Sequence, residues 1–316
     1  MKYNILGNSG IKVSELCFGV LPMGPLQANM SAKEGAKIIQ EGLNSGINFL
    51  DTAQAYQTYP HTKKALADFQ KEVIIASKSH AHSYNEMKSA VLEACQELDR
   101  DYIDIFHLHA PREDKNVFQK RAGALSALID LKEKGIIRAI GISTHALEVV
   151  EIAAEKDEID IIFPIINKIG LGIIGGTPED MVLAIKKASD NGKGVYAMKV
   201  LAGGYLIKQL KESINYVRDI EGIQSIAIGM VQLRELELNL KIFENQKINQ
   251  EELIKESFPR KRLFVSGFCE GCGTCVEACP NQALSLKDGK AVVDYGLCLT
   301  CGYCVPHCPV FALRIV

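Results

Sequence analysis

The sequence predicts a closed (β/α)8 barrel followed by a small α+β domain rich in cysteine, and three observations carry that prediction. Short β-branched apolar runs alternate with longer helical patterns from residue 12 to about 245. Several runs, of which 161–166 is typical, are apolar at nearly every position, as strands buried on both faces of a parallel sheet are. Eight of the ten cysteines fall between Cys269 and Cys308, where the composition shifts to cysteine, glycine and short apolar pieces.

The chain's 316 residues suit about two domains at roughly 150 each, or one barrel of around 250 plus a smaller unit. Lys and Arg total 36 against 38 Asp and Glu, a net charge of −2. That balance offers no electrostatic ground for a nucleic-acid or membrane-surface partner. Hydrophobic residues make up 47%, enough for a core and too many for a disordered chain. The opening MKYNILGNSGIKVSE is broken by polar residues and glycine, so it reads as neither signal nor transit peptide. No run approaches 18 apolar residues, and the expected location is the cytoplasm.

Residues 3–13, apolar around Asn8-Ser9-Gly10, read as a hairpin closing the barrel bottom. Strands are expected at 15–20, 47–52, 73–78, 103–109, 138–143, 159–167, 195–200 and 225–230. Between them, 32–44, 85–99, 117–133, 178–189 and 233–243 carry apolar residues at three- and four-residue spacing, which is helical. Turn signals separate the elements: Asn44-Ser45-Gly46, Lys134-Gly135 and Asn191-Gly192-Lys193-Gly194. An open doubly wound sheet would need a glycine-rich turn after its first strand, and Leu21-Pro22-Met23-Gly24-Pro25 is not that turn. The polar, charged stretch 246–262 reads as a linker. The expected division is a barrel over 1–245, the linker over 246–262 and a second domain over 263–316.

The two cysteine motifs are Cys269-x2-Cys272-x2-Cys275-x3-Cys279-Pro280 and Cys298-x2-Cys301-x2-Cys304-x3-Cys308-Pro309. A two-residue gap lets three successive thiolates curl around one cubane, with Gly271, Gly273 and Gly302 permitting tight turns. The fourth cysteine lies too far along to close on its own cube and ligates the other. One 4Fe-4S cluster is therefore expected on Cys269, Cys272, Cys275 and Cys308, the other on Cys298, Cys301, Cys304 and Cys279. Zinc knuckles would pair two Cys-x2-Cys units across a longer loop instead. The segment resembles bacterial two-cluster ferredoxins over its whole length. Cys17 and Cys95, within the barrel, read as apolar fillers.

In such a barrel chemistry sits where strands end at their C-terminal face. Asp51 ends the second strand, Tyr56 follows it, Lys78 ends the third and His109 the fourth. Together they describe a proton donor for a carbonyl. An ammonium lowers the pKa of a tyrosine from near 10, a carboxylate holds the ammonium, and an imidazole orients the carbonyl oxygen. The segments Asn48-Phe-Leu-Asp-Thr-Ala-Gln-Ala-Tyr56, Ala76-Ser-Lys78, Tyr102-Ile-Asp-Ile-Phe-His-Leu-His109 and Ile140-Gly-Ile-Ser143 resemble the aldo/keto reductase family. So do Ala197-Met-Lys-Val-Leu-Ala-Gly-Gly204 and Ile228-Gly-Met with the later Asn239. With its tail, the chain resembles the ferredoxin-fused branch of that family.

The resemblance implies a tetrad of Tyr56 as general acid/base, Lys78, Asp51 and His109. It also implies NADP or NAD held by Ser143, Thr144, Asn167, Met198, Lys199, Gly229, Arg234 and Asn239. This chain carries Thr144 where members usually have Asn, Phe163 or Pro164 in place of a Gln, Met198 in place of a stacking aromatic, and Arg234 as the basic residue near a 2′-phosphate.

His61, His80, His82, His107, His109 and His145 fall at or just after strand ends and are expected to line a polar pocket. A metal-dependent hydrolase would need carboxylates at other strand ends, and Asp51 is the one present. Gly170-Leu-Gly-Ile-Ile-Gly-Gly176 lacks the acidic residue of a dinucleotide fingerprint and reads as a flexible loop over the pocket.

The expected function is an iron-sulfur oxidoreductase with a carbonyl/alcohol site joined to two clusters, acting on a small molecule and open to a redox partner protein. A hydride carries two electrons and each cluster one. Such exchanges usually pass through a flavin, for which no motif is present. The alternative is an electron-transfer or binding module whose barrel is catalytically altered. Because the cysteine domain takes the place of the segment that folds over the pocket in aldo/keto reductases, one cluster is expected on the side facing Tyr56.

Overall fold

A computed structural model describes residues 1–248, 262–267, 269–310 and 312–315. The antiparallel hairpin of β1 (Tyr3–Ile5) and β2 (Lys12–Ser14) precedes eight parallel strands. These are β3 (Leu16–Gly19), β4 (Phe49–Asp51), β5 (Ile74–Ser79), β6 (Ile103–Ala110), β7 (Ile137–Thr144), β8 (Ile161–Pro164), β9 (Gly194–Ala197) and β10 (Ser225–Gly229). They pair in sequence order, and β10 closes on β3 with Gly229 opposite Gly19. The (β/α)8 barrel is thus the observed fold.

Alternation along the strands sends every second side chain inward. Phe49 with Asp51, Ala76 with Lys78, and Ile105 with His107 and His109 follow that period. The lower interior is a plug of Cys17, Phe49, Ile74, Ile105, Ile161 and Tyr196, to which the hairpin adds Leu6, Ile11 and Val13. The hairpin therefore closes the barrel's N-terminal end, held by Asn8 N–H on Gly192 O at 2.8 Å. Cys17 is fully buried in this plug, as a filler would be.

Helices α1 (Ala32–Asn44), α2 (Tyr59–Leu66), α3 (Tyr84–Leu98), α4 (Val117–Lys120), α5 (Ala122–Glu133), α6 (Leu147–Glu155), α7 (Pro178–Asp190), α8 (Leu210–Arg218) and α9 (Leu233–Phe243) cover the outside. Their starts follow local chemistry. Ser31 with Glu34, Ser83 with Glu86 and Thr177 with Asp180 form reciprocal caps at α1, α3 and α7. The helix expected over 117–133 is broken at Arg121 (φ −116°, ψ 29°), because this fully buried residue turns its guanidinium into the barrel rim.

The C-terminal unit is a small ferredoxin-like α+β module. Strand β11 (Leu263–Val265) pairs with β14 (Leu313–Ile315), and β12 (Leu284–Lys287) pairs with β13 (Lys290–Val293), with α10 (Thr274–Ala278) between. Its core is made largely of its own cysteines with Leu263, Ala283, Leu284, Ala312 and Leu313. Of the expected linker 246–262, positions 249–261 lie outside the described residues. Among the described residues no helix is long and apolar enough to cross a membrane.

The module rests on the C-terminal mouth of the barrel. Thr300 Oγ1 donates to Gly203 O at 2.8 Å, and Arg112 reaches Glu277 O at 3.2 Å. Two glycines make the approach possible. A Cβ on Gly203 would stand 2.3 Å from Leu299 O, and one on Gly302 2.2 Å from Leu26 O. Both have positive φ, which glycine adopts without strain.

Candidate active site beneath the cysteine module

Asp51 closes β4, Lys78 is the penultimate residue of β5 and His109 that of β6. The single turn Gln54–Tyr56 after β4 brings Tyr56 back over them. Lys78 is 1% exposed, and its ammonium donates to Asp51 Oδ1 and Oδ2 at 2.7 and 2.8 Å and to Thr52 O at 2.8 Å. Those three bonds use all its hydrogens. It faces Tyr56 through charge alone, 4.9 Å from the ring centroid. Burial raises the Asp51 carboxyl and lowers the Lys78 ammonium, and their mutual attraction opposes both shifts.

The expected lowering of the Tyr56 pKa is not observed. Tyr56 is 6% exposed, and burial drives its phenol well above 10, reinforced by the hydroxyl of Tyr303 and the carboxylate of Asp51. His109 is held well below the usual imidazole range, first by burial and then by His80, Lys78 and Arg121, so its ring is neutral at pH 7. His80 stacks on it at 4.1 Å.

Three residues of this site escaped the sequence reading. Tyr196, fully buried on β9, donates to Asp51 Oδ2 at 3.0 Å and meets His107 Nε2 at 2.7 Å, tying His107 to the tetrad from below. Arg121 donates to His109 O at 2.9 Å, Ser79 O at 2.9 Å, and Ala81 O at 2.7 and 3.0 Å, lashing the ends of β5 and β6 together. Tyr303, from the cysteine module, places its hydroxyl 2.9 Å from His109 Nε2 and 3.5 Å from the Tyr56 hydroxyl. A signal for Tyr303 was present: the second motif reads Cys301-Gly-Tyr-Cys304 where the first reads Cys272-Gly-Thr-Cys275. Thr274 serves its own module, bonding His307 O at 2.7 Å.

The histidines serve separate ends. His61 meets Met30 O at 2.9 Å beside α1, and His145 is buried above β7. Among the described residues no three His, Cys, Asp or Glu side chains gather around a single-ion site. The loop 170–176 is tied down by Ile174 N–H on His145 O at 2.9 Å, and none of its residues lines the cavity next to Tyr56. It meets the cysteine module at Gly172, beside the Leu299 side chain.

That cavity encloses about 230 Å³ and runs from Asp51, Tyr56 and Phe163 past Met198 and Lys199, with Leu299 and Thr300 of the module as its roof. Of the residues expected to hold a nicotinamide cofactor, it is lined by Met198, Lys199 and Gly229. The others lie elsewhere. Asn167 exchanges two hydrogen bonds with Leu171, Thr144 Oγ1 accepts from Ala146 N–H, and Asn239 donates to Glu235 O within α9. Each of these side chains bonds local backbone, while the buried Asn239 Oδ1 has no partner. Arg234 is exposed on α9. Ser143 is 1% exposed with its hydroxyl unpartnered, a group a ligand amide could satisfy.

The eight module cysteines act on one another's thiols in two overlapping groups. Burial raises the Cys275 thiol, and the neighbours adding to it are Cys269, Cys272 and Cys308. Burial likewise raises Cys304, with Cys301, Cys279 and Cys298 adding most to it and Cys275 least. Backbone N–H groups point at several sulfurs: Ala312 at Cys308 (3.1 Å), Ala283 at Cys279 (3.3 Å) and Ala291 at Cys269 (3.4 Å). Such bonds favour thiolates around iron-sulfur clusters and tune their potentials.

The fold and this constellation define an oxidoreductase barrel carrying a small ferredoxin-like module. Residues 15–247 match the aldo/keto reductase family and residues 268–312 a 4Fe-4S dicluster domain. The chain belongs to the aldo/keto reductase family, fused at its C-terminal side to a ferredoxin-like module. It is 28% identical over 216 residues to L-galactose dehydrogenase of Arabidopsis thaliana, spanning 65% of this chain and 66% of that one. It is 22% identical over 298 residues to an uncharacterised oxidoreductase of Bacillus subtilis strain 168, spanning 80% of this chain and 94% of that one. An aldo-keto reductase structure from Bacillus halodurans, in its holo form, shares the fold at a TM-score of 0.65 and 22% identity, covering 81% of this chain and 96% of that one.

Proposed function

We propose that the chain is a cytoplasmic NAD(P)H-linked carbonyl/alcohol oxidoreductase in which Tyr56 is the general acid/base. We further propose that the module over 263–316, joined to the barrel of 1–245 by the linker 246–262, holds two 4Fe-4S clusters above the site. The observation that carries this reading is the convergence of Asp51, Lys78, Tyr56 and His109 from neighbouring strand ends directly beneath the second cysteine motif.

The bound nicotinamide would supply hydride, with Met198, Lys199, Gly229 and the unpartnered Ser143 hydroxyl as the groups best placed to hold it. The rest is this chain's own chemistry. A phenol whose pKa lies well above 10 is fully protonated at neutral pH and ready to donate to a developing alkoxide. The phenolate left behind keeps the Lys78 ammonium 4.9 Å from its ring centroid, where Asp51 fixes it. Neutral His109 offers Nε2 to the same oxygen, its ring held by His80 and its backbone by Arg121. The cysteine groupings support crossed ligation, with Cys308 completing the first cluster and Cys279 the second.

Protein purified without oxygen and given NADPH and a panel of small aldehydes tests the reading. Carbonyl-dependent NADPH oxidation that falls about 10²–10⁴-fold in Tyr56→Phe is expected, since that is the usual worth of general acid catalysis. Turnover undiminished in the variant would place the donor elsewhere. The alternative, an electron carrier with an altered barrel, draws on the local commitments of Thr144, Asn167 and Asn239. It requires that no aldehyde or alcohol be turned over while the clusters still exchange electrons.

A further inference from the structure

Tyr56 and His109 are the two groups that would meet on a substrate's oxygen, and in this structure they meet on the hydroxyl of Tyr303. Its oxygen stands 2.9 Å from His109 Nε2 and 3.5 Å from the Tyr56 hydroxyl. A phenol resembles the alcohol side of the proposed reaction: an oxygen that can donate or accept, on a flat carbon frame. Its ring makes edge contacts with His80 and His109, centroids at 6.2 and 5.9 Å, and packs against the cluster of Leu26, Ala53 and Tyr56. The backbone that delivers it is seated on the close approach of Gly302 to Leu26. The open cavity is lined by Tyr56 but by neither His109 nor Tyr303, whose hydroxyl lies against His109.

We propose that Tyr303 is a specificity-determining residue of the carbonyl site: its hydroxyl occupies the place of the substrate oxygen, and a carbonyl compound reaches His109 by displacing it. The inference rests on the carbonyl/alcohol reading of the tetrad. An intramolecular group competes at a high effective concentration. A compound that offers the corner one hydrogen bond and nothing more loses to Tyr303. One that also fills the cavity between Lys199 and Thr300 wins, so the residue selects for substrates with a second point of attachment.

The test compares wild type, Tyr303→Phe and Tyr303→Ala, each as the full chain purified without oxygen and matched for iron content. Calorimetry measures binding of 4-nitrobenzyl alcohol, and NADPH oxidation measures turnover of 4-nitrobenzaldehyde. Removing the competing hydroxyl is worth about two- to tenfold in Tyr303→Phe, the equilibrium worth of one hydrogen bond. Removing the ring as well should tighten binding in Tyr303→Ala by at least tenfold. Tyr303→Phe keeps the ring in place and carries the comparison if alanine lowers the iron content. Binding unchanged or weakened relative to wild type overturns the proposal, since Tyr303 would then assist the ligand or stand clear of it. If Tyr303→Ala binds the alcohol tighter while no form turns over the aldehyde, the reductase reading falls and the occupied corner stands. Wild-type turnover with no gain in either variant leaves the reductase reading intact and overturns this one.

Discussion

Replacing Lys78 with methionine keeps the length of the side chain and removes three hydrogen bonds from the bottom of the site, two to Asp51 and one to Thr52 O. Asp51 is 5% exposed and would keep one neutral partner, the Tyr196 hydroxyl at 3.0 Å. Removing one member of a buried ion pair costs about 3–5 kcal/mol, because the remaining charge is left uncompensated in a dry site. At about 2–4 °C per kcal/mol for a unit of this size, the barrel's thermal transition should fall by about 6–20 °C. The loss carries a pH signature. Burial already raises the Asp51 pKa, and without the ammonium nothing of comparable strength opposes it. A carboxyl whose folded pKa lies above its unfolded value near 3.9 holds its proton longer in the folded state. The penalty therefore shrinks as pH falls toward 4 and grows as pH rises through the folded pKa. Far-UV circular dichroism melts of the anaerobic holoprotein at pH 5 and pH 8 measure both effects. Adding Asp51→Asn should restore most of the loss at pH 8, since deleting both charges of a buried pair is often close to neutral. A double variant no more stable than Lys78→Met would refute the argument, and the cost would then belong to packing around the methionine.

Metal analysis should find about eight iron and eight acid-labile sulfide per chain with negligible zinc, and stoichiometric zinc would contradict the cluster assignment. Cys279→Ala should damage the cluster assigned to Cys298, Cys301 and Cys304, which electron paramagnetic resonance of the reduced protein can distinguish from damage to the first. Arg121→Met leaves the carbonyls of Ser79, Ala81 and His109 without their donor; at about 1–3 kcal/mol for each buried group left unsatisfied, it should destabilise the barrel more than any substitution on an exposed helix face. Gly302→Ala puts a Cβ 2.2 Å from Leu26 O at a residue with φ 85°. It should loosen the module from the barrel mouth, seen as faster proteolysis between the two.

What the sequence by itself determined is what local spacing can encode. The alternation of apolar runs and helical patterns specifies eight β/α units because burial on both faces leaves no room for polar residues in the strands. The Cys-x2-Cys-x2-Cys-x3-Cys-Pro motifs declare their chemistry because thiolates a turn apart can share one cube. Asp51, Lys78 and His109 were legible because a parallel barrel delivers every strand end to the same rim. What local spacing does not encode is which of the expected contact residues also bond their own backbone neighbours. Thr144, Asn167 and Asn239 each bond backbone within a few residues. Arg121 reads as one polar residue in a continuous helix until the fold shows three carbonyls waiting for it. Tertiary structure alone decided that Tyr56 would be raised rather than lowered, since burial is a property of everything packed around the ring. It also decided the meeting of Tyr303 with His109, 194 positions apart. Such a contact depends on how two separately encoded units dock, and no spacing within either one records it.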